Sequence, residues 1–365
     1  MSDLAIRGGR VLTPAGWVDA DLRVDGRHVA ALGPGPAAAV ELDATGASVL
    51  PGFVDLHVHA AGGGWPQRDP GELATMARAL VRGGVTSFLL TTVAAPLAEL
   101  RRVLDTGADT EAARCVGVHL EGPWLAAARA GAQPAAHLRP IEAAEVRALA
   151  VPPVRLVTLA PELPGALPVI TELAARGIVV AMGHSDATYD ESAAGAAAGA
   201  RHVTHAFNAM RGLHHRDPGL AGAALDLADL TVEVIADGVH VHPAAVRLLW
   251  RARGADAVCL VSDGVDGCGT GGELVREGSA LRRADGRLAG STLTLVDAVR
   301  NAVAWGIPLA DAARMAAATP ARVLGRADLG SLHPGALADA VVLDGDLQVR
   351  HVVVGGRLVH SADAA

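Results

Sequence analysis

Short apolar runs alternate with helix-like stretches through the middle of the chain, and this alternation limits the fold more than any other feature. Strands are predicted at residues 87–92, 115–120, 154–159, 178–182, 203–206, 232–236 and 258–261. Helices are predicted at residues 71–82, 97–104, 167–176, 244–253 and 293–304. Such alternation is typical of a parallel α/β architecture, and a (β/α)₈ barrel takes about 250 residues. An open doubly wound sheet is the alternative, although the chain has no GxGxxG after its first strand and no GxxxxGK[ST], the motifs of the nucleotide-binding versions.

The two ends of the chain differ from the middle. Residues 3–50 and the C-terminal stretch "ADAVVLDGDLQVRHVVVGGRLVH" carry β-branched residues between Gly-Gly, Asp-Gly and Pro-Gly turns. This pattern is typical of short strands and hairpins. We therefore predict that the two ends pair into one small sheet domain beside the α/β middle.

Composition excludes some partners and compartments. The formal net charge of -8 argues against nucleic acid as the main partner. The chain has three cysteines, Cys115, Cys259 and Cys268, without a CxxC pair, so we expect no disulfide framework and a reducing cytoplasm. No segment approaches the roughly 18 uninterrupted apolar residues of a transmembrane helix, so no membrane association is expected.

Polar side chains fall at or just after the ends of the predicted strands. They are His57, His59, Glu121, His184, His205 and Asp263. His57 and His59 are two residues apart in a strand and so leave the same face side by side. In a barrel the carboxyl ends of the strands converge on one rim, where four imidazoles and two carboxylates suit one or two divalent ions. Taken singly, His184 also reads as a helix cap and Asp263 as a turn former, but only the metal site explains the shared position.

Two further polar segments have weaker patterns. His119 lies two residues before Glu121 and is expected to face the same side, where it supports a metal ligand. Arg216 lies in the stretch "HHRD", which also reads as a solvated basic loop without a role in a site.

Several motifs identify a family resemblance. "PGFVDLHVH", "HLEGPWL", "MGHSDAT", "THAFNAM", "DPGLAGAAL", "IADGVHV" and "LVSDG" follow one another as in the N-acetylglucosamine-6-phosphate deacetylases of the amidohydrolase superfamily. The resemblance spans nearly the whole chain, and the pair "LEGPWL" and "HAFNAM" is specific within that superfamily. It implies a (β/α)₈ barrel over residues 51–334 and a small β-sandwich domain formed by residues 1–50 and 335–365.

The resemblance also implies roles for single residues. A metal site would be formed by Glu121, His184 and His205, and the pair His57 and His59 is compatible with a second ion. Asp263 matches the family's catalytic aspartate. Substrate contacts are implied for Asn208, Ala209, Arg216 and His240, with Arg216 and His240 holding the phosphate and hydroxyls. Because the family often completes its phosphate site across a dimer interface, a homodimer is expected.

The implied reaction is metal-dependent conversion of N-acetylglucosamine 6-phosphate to glucosamine 6-phosphate and acetate. The ion, which the residue types allow to be Zn, Fe, Mn or Co, activates a water for attack on the amide. Asp263 then acts as general base and acid.

One position departs from the family. Gln133 stands where family members commonly carry a histidine that contacts the substrate, and an amide donates a hydrogen bond without carrying a proton charge. A related amidohydrolase acting on a different N-acyl sugar or an N-acyl amino acid therefore remains an alternative. A catalytically silent barrel that serves as a sensor or scaffold is disfavoured, because all candidate ligands and Asp263 are present.

Overall fold

The structure, a computed structural model, describes residues 3–106, 110–266 and 274–362. The strands that begin the chain are β1 (Leu4–Arg7), β2 (Arg10–Thr13), β3 (Gly16–Asp19), β4 (Leu22–Asp25), β5 (His28–Leu32), β6 (Val40–Asp43) and β7 (Ser48–Pro51). The strands of the middle are β8 (Phe53–Val58), β9 (Val85–Thr92), β10 (Arg114–Glu121), β11 (Val154–Leu159), β12 (Val179–Met182), β13 (His202–Val203), β14 (Thr231–Ile235) and β15 (Val258–Val261). They are followed by β16 (Leu274–Glu277), β17 (Ala280–Arg283), β18 (Leu288–Ser291), β19 (Ala340–Leu343), β20 (Val349–Val354) and β21 (Arg357–Ser361).

Helices connect the strands of the middle. They are α1 (Leu73–Arg82), α2 (Leu97–Leu104), α3 (Ala143–Leu149), α4 (Ala166–Ala175), α5 (Tyr189–Ala198), α6 (Gly219–Asp226), α7 (Pro243–Arg253), α8 (Leu295–Ala304), α9 (Leu309–Ala316) and α10 (Ala318–Val323). Helix α1 shows why such segments fold: Met76, Ala77 and Leu80 are buried at helical spacing and form one apolar face. At the start of α7, His242 accepts a hydrogen bond from the backbone N–H of Ala244 and caps the helix.

Strands β8 to β15 form one parallel sheet whose spatial order follows the chain order. The last strand returns to the first, since Val58 at the end of β8 bridges Gly264 after β15. The backbone N–H of Asp263 also donates to the carbonyl of His57 at 2.9 Å. Strands β8 and β9 are buried along their whole length, as strands covered on both faces must be. The (β/α)₈ prediction is thus confirmed and the open doubly wound alternative is wrong.

One predicted strand was placed wrongly. We expected a strand at residues 203–206, but β13 covers only His202 and Val203. The chain leaves the sheet because His205 and Phe207 take left-handed backbone angles, φ 27° and φ 74°, which a strand does not allow. The other predicted strands and helices overlap observed elements of the same type.

Both ends of the chain build two smaller sheets. One has the order β5-β4-β1-β6, and the other has the order β21-β20-β19-β7-β2-β3, which joins strands from the two termini. Side chains including Ile6, Val11, Leu22 and Val342 form an apolar core separate from that of the barrel. On this basis we propose that residues 1–50 and 335–365 are a small β-sandwich domain and that residues 51–334 are the barrel domain.

Two further expectations concern thiols and membranes. Cys115 and Cys259 are free thiols, and Cys268 lies outside the described residues. Among the described helices, none combines the length and the apolar character that crossing a membrane requires.

Candidate metal centre

The candidate ligands lie at the carboxyl ends of the barrel strands. His57 is inside β8, His59 follows its last residue, and Glu121 ends β10. His184, His205 and Asp263 each come two residues after the end of β12, β13 and β15.

The last three ligands share an unusual backbone. His184, His205 and Asp263 have φ angles of 47°, 27° and 46°. Left-handed angles are uncommon in residues other than glycine, and at functional sites the surrounding structure holds such residues in place. Here the carbonyls of His184 and Asp263 accept hydrogen bonds from the backbone of Ala126 and Ser291, each at 2.9 Å. The turn at each strand end directs the side chain into the space above the barrel.

The first group of converging atoms comes from Glu121, His184 and His205. Glu121 Oε1 lies 2.9 Å from His184 Nε2 and 3.0 Å from His205 Nε2, and the two nitrogens are 3.1 Å apart. All three side chains are buried. Tetrahedral ligands bonded at about 2.0–2.1 Å to one ion are about 3.3 Å apart, so this triangle has nearly the size that such an ion needs.

A second group lies beside the first. The Nε2 atoms of His57 and His59 are 3.3 Å apart, and Asp263 Oδ1 lies 3.5 Å and 3.3 Å from them. Glu121 adjoins this group as well, because its Oε2 is 3.4 Å from His59 Nε2. The donors are imidazole nitrogens and carboxylate oxygens, which suit divalent transition ions. The residues therefore fit one ion in the first group and a second in the neighbouring group.

The hydrogen bonds of two histidines aim their free nitrogens at these groups. His184 Nδ1 lies 2.8 Å from the carbonyl of Arg129, and His57 Nδ1 lies 3.0 Å from a carboxylate oxygen of Glu233. Carbonyl and carboxylate oxygens only accept, so each Nδ1 carries the proton in the neutral ring. The lone pair on each Nε2 then faces the converging atoms, as a metal ligand requires.

Glu233 also supports the centre, although it was not predicted from the sequence. It lies in β14, is fully buried, and accepts from His57 Nδ1 at 3.0 Å and from His202 Nε2 at 3.0 Å. It also accepts from the backbone N–H of His205 at 3.2 Å. Glu233 thus contacts one member of each group without being at a strand end. An acidic residue inside the apolar run "TVEVIA" was the signal that would have found it.

The acids and imidazoles of the centre shift one another's pKa values. Burial raises the pKa of Glu121 and of Asp263, but the charge on His57 and neighbouring imidazoles more than offsets this, so both carboxyl pKa values lie below their usual range. Conversely, burial lowers the pKa of His57, while Glu121, Glu233 and Asp263 raise it well above 6.5. The pKa of His184 is also raised, by Glu121 against the effect of burial. Both acids are therefore ionised at neutral pH, where they favour positive charge between them.

His119 lies behind the centre. Its ring is 4.8 Å from that of His57, its Nδ1 donates to the carbonyl of Leu56 at 3.1 Å, and its Nε2 is 2.7 Å from Thr158 Oγ1. Burial, followed by the charge of His57, lowers the pKa of His119 to about 3. Both nitrogens are engaged and the ring is neutral, so His119 supports the packing of His57 and is not a source of protons.

A cavity of about 370 Å³ opens above the centre. Among the residues with implied substrate contacts, Asn208, Ala209, Gln133 and His240 line this cavity. His240 is held by Asp237 at 2.7 Å through Nδ1, while its buried Nε2 has no partner among the described residues.

Arg216 lies apart from the cavity lining. It is exposed, and its Nη1 donates to His215 Nε2 at 2.8 Å. Two other arginines line the cavity, Arg282 and Arg287, on the hairpin sheet β16–β18. Arg287 also donates to the carbonyl of Gly131 across the opening, at 3.2 Å. Neither arginine was predicted from the sequence, and only their place in the cavity lining distinguishes them.

A barrel with two imidazole–carboxylate groups at the carboxyl ends of its strands defines a class of barrel proteins built to hold divalent ions. Residues 48–359 match the Amidohydrolase family, and the chain belongs to this family.

Similar proteins share nearly the whole chain. An N-acetylgalactosamine-6-phosphate deacetylase from Escherichia coli O157:H7 is 38% identical over 97% of this chain and 98% of its own length. An N-acetylglucosamine-6-phosphate deacetylase from Vibrio furnissii is 38% identical over 95% of this chain and 89% of its own. A solved structure of a Mycobacterium smegmatis N-acetyl-D-glucosamine-6-phosphate deacetylase variant, in complex with N-acetyl-D-glucosamine 6-phosphate, is 35% identical with a TM-score of 0.89. That comparison covers 99% of this chain and 100% of the other.

Proposed function

We propose that this protein is a metal-dependent deacetylase that converts N-acetylglucosamine 6-phosphate to glucosamine 6-phosphate and acetate. The observation that carries the proposal is the convergence of Glu121, His184, His205 and Asp263 on one cavity. The similarity to sugar-phosphate deacetylases over almost the whole chain supports the same reaction.

The ligands proposed for the ions are the two groups of converging residues. Glu121, His184 and His205 hold the first ion, and His57 and His59 with Asp263 accommodate a second. The donor types suit Zn, Fe, Mn or Co. A divalent ion in this place supplies Lewis acidity to the amide carbonyl and lowers the pKa of water bound beside it.

Asp263 is the proposed proton carrier. Its depressed pKa keeps the carboxylate ionised at neutral pH, so it is ready to accept the proton of the attacking water. The water oxygen becomes part of acetate as the C–N bond breaks, and Asp263 returns the proton to the sugar nitrogen. When no second ion is bound, His59 is the proposed anchor of this carboxylate, because its Nε2 lies 3.3 Å from Asp263 Oδ1.

The remaining cavity residues are proposed to orient the sugar. Asn208 and Ala209 lie on the left-handed turn after His205, and Asn208 uses its Nδ2 to bond the carbonyls of His205 and Ala206 at 3.3 Å and 3.2 Å. Its amide oxygen is then left to accept from the substrate. His240 offers its unpartnered Nε2 to a sugar hydroxyl or phosphate oxygen.

Two sources of positive charge are available for the phosphate. The family resemblance assigns this role to Arg216, acting across a homodimer, and the exposure of Arg216 in its own subunit is consistent with a position facing a partner. Arg282 and Arg287 line the cavity of the same chain and are the alternative source. Guanidinium groups bind phosphate with paired hydrogen bonds in either arrangement.

Acetate release from purified protein tests the function. We expect release from N-acetylglucosamine 6-phosphate that is lost on chelation and restored by a divalent ion, and no release from unphosphorylated N-acetylglucosamine. Absence of release from protein shown to hold metal would refute the proposal and redirect the search to other N-acyl compounds. Absence of bound metal would favour the sensor or scaffold alternative.

Single variants distinguish the two candidate phosphate contacts, Arg216 of a partner subunit and the arginines of the same chain. Loss of the preference for phosphorylated sugar in Arg216→Ala supports the contact across a dimer, and the same loss in Arg287→Ala supports the contact within one chain. Arg282→Ala tests the other arginine of the cavity lining, and Arg283→Ala is its control, because neighbouring side chains of β17 point to opposite faces of the sheet. Sedimentation analysis of the same samples tests the homodimer.

A second candidate substrate is N-acetylgalactosamine 6-phosphate. The E. coli relative, which carries that name, matches this chain as well as the N-acetylglucosamine-6-phosphate deacetylase from Vibrio does. Parallel assays with both sugar phosphates decide between them. The proposed compartment remains the reducing cytoplasm, which the free thiols of Cys115 and Cys259 support.

A further inference from the structure

Gln133 is buried beside the first group of ligands, and its amide has one distinct partner at each end. Its Oε1 accepts from the backbone N–H of Ala94 at 2.8 Å, and its Nε2 donates to Glu121 Oε2. The orientation of the amide is therefore determined, because a flip would set its oxygen against a carboxylate and its NH₂ against an N–H.

The hydrogen bond from Gln133 gives the two carboxylate oxygens of Glu121 different partners. Oε1 lies between His184 Nε2 and His205 Nε2, at 2.9 Å and 3.0 Å. Oε2 accepts from Gln133 and is 3.4 Å from His59 Nε2, in the second group. Without the amide, Oε2 is free to turn toward His59, and the carboxylate plane is no longer held.

We propose that Gln133 is a positioning residue that holds Glu121 with its Oε1 toward His184 and His205. The inference rests on the proposed metal centre but not on the substrate. Gln133 carries no charge, so it orients the carboxylate while leaving its negative charge for the ion. One N–H of the amide donates to a proposed ligand, a role distinct from the substrate contact that the family resemblance implied.

Zinc binding to the metal-free protein tests the inference without any substrate. We expect Gln133→Met, which conserves volume but removes both hydrogen bonds, to weaken the tightest Zn²⁺ site about 10- to 100-fold in competition with a chromophoric chelator. Gln133→Asn, one methylene too short to reach both partners, should do the same and serves if the methionine variant does not fold.

Gln67 provides a matched control. It is fully buried in the neighbouring loop, its Oε1 accepts from the backbone N–H of Val93 at 2.8 Å, and its Nε2 donates to Glu99 at 3.0 Å. The acceptor bond of Gln67 is to the residue next to Ala94, so Gln67→Met removes an equivalent amide nearby. It does so without changing a contact to a proposed metal ligand. It should lower the thermal stability of the metal-free protein as Gln133→Met does, but leave zinc affinity unchanged.

The possible outcomes separate this inference from the proposed reaction. Equal zinc affinity in the wild type and Gln133→Met overturns the inference alone, as does an equal loss in Gln67→Met. A wild type that binds zinc but releases no acetate refutes the deacetylase, while weakened binding in Gln133→Met still supports the positioning role. A wild type that binds none of Zn, Fe, Mn and Co overturns both.

Discussion

Replacement of Glu233 probes how a buried strand residue holds the metal centre. Glu233 has zero exposure and receives three hydrogen bonds, from His57 Nδ1 and His202 Nε2 at 3.0 Å and from the His205 N–H at 3.2 Å. Glu233→Ala leaves all three donors without an acceptor. Glu233→Gln keeps the shape and an acceptor for His57, but removes the charge.

The expected costs follow from those contacts. Breaking a buried charged pair by removing one partner costs about 3–5 kcal/mol, and we expect that loss of unfolding free energy for Glu233→Ala. For Glu233→Gln we expect about 1–2 kcal/mol, because charge-assisted hydrogen bonds become neutral ones. In the glutamine variant His202 can accept from the new amide by moving its proton to Nδ1, which is 2.6 Å from Thr231 Oγ1.

The assay combines urea unfolding of the metal-free protein with zinc titration. Glu233→Gln weakens the acceptor that fixes His57 Nδ1–H, because the amide oxygen is neutral, and Glu233→Ala removes it. We therefore expect zinc affinity to fall about 10-fold in the glutamine variant and about 100-fold in the alanine variant. Glu145→Ala is the control, since Glu145 accepts from Trp124 and Arg139 away from the centre. A cost below about 1 kcal/mol for Glu233→Ala, or unchanged zinc affinity, would refute the reasoning.

Three further predictions concern the proton carrier, pH and the link between the sheets. Asp263→Asn should lower kcat about 10²- to 10⁴-fold while metal analysis shows that the ion held by Glu121, His184 and His205 is retained; near-normal turnover rejects Asp263 as the base. His57 and His184 have raised pKa values in the metal-free protein, so metal binding must displace protons. Apparent zinc affinity should therefore fall as pH decreases through a window above 6.5. Calorimetry in buffers of different ionisation enthalpy should detect the released protons. A zinc affinity that does not depend on pH contradicts the prediction. Asp339→Ala removes the ion-pair partner of Arg114, whose side chain is only 18% exposed and still donates to Ser87 Oγ at 2.9 Å, and should cost about 3–5 kcal/mol in unfolding experiments; a loss below about 1 kcal/mol would show that the pair contributes little.

Much of the fold and the ligand set was predictable because both depend on local periodicity. Parallel strands buried on both faces appear as apolar runs, and a polar residue that ends such a run must lie at the barrel rim. His184 and Asp263 were found in this way, although neither pattern indicated the left-handed backbone that turns them inward. The strand predicted at residues 203–206 extended past the observed end of β13 because the turn there is made by residues other than glycine. Such a turn has no signal in the sequence.

The supporting contacts were not predictable, because they join residues far apart in the chain. His57 and Glu233 are 176 residues apart, and only closure of the barrel brings β8 and β14 near enough for a hydrogen bond. From the sequence, Gln133 was interpreted as a departure from the family's substrate-binding pattern. In the structure its amide contacts Ala94 and the proposed metal ligand Glu121.

The sequence by itself therefore determined which residue types arrive at the barrel rim, since strand period and strand ends are local properties. The tertiary structure decided which atoms of those residues face one another. It directs Nε2 of His57 and His184 toward the candidate metal groups and leaves Arg216 outside its own cavity lining. The physical reason is that ring orientation and carboxylate rotation depend on distant hydrogen-bond partners, which exist only after the strands have closed into a barrel.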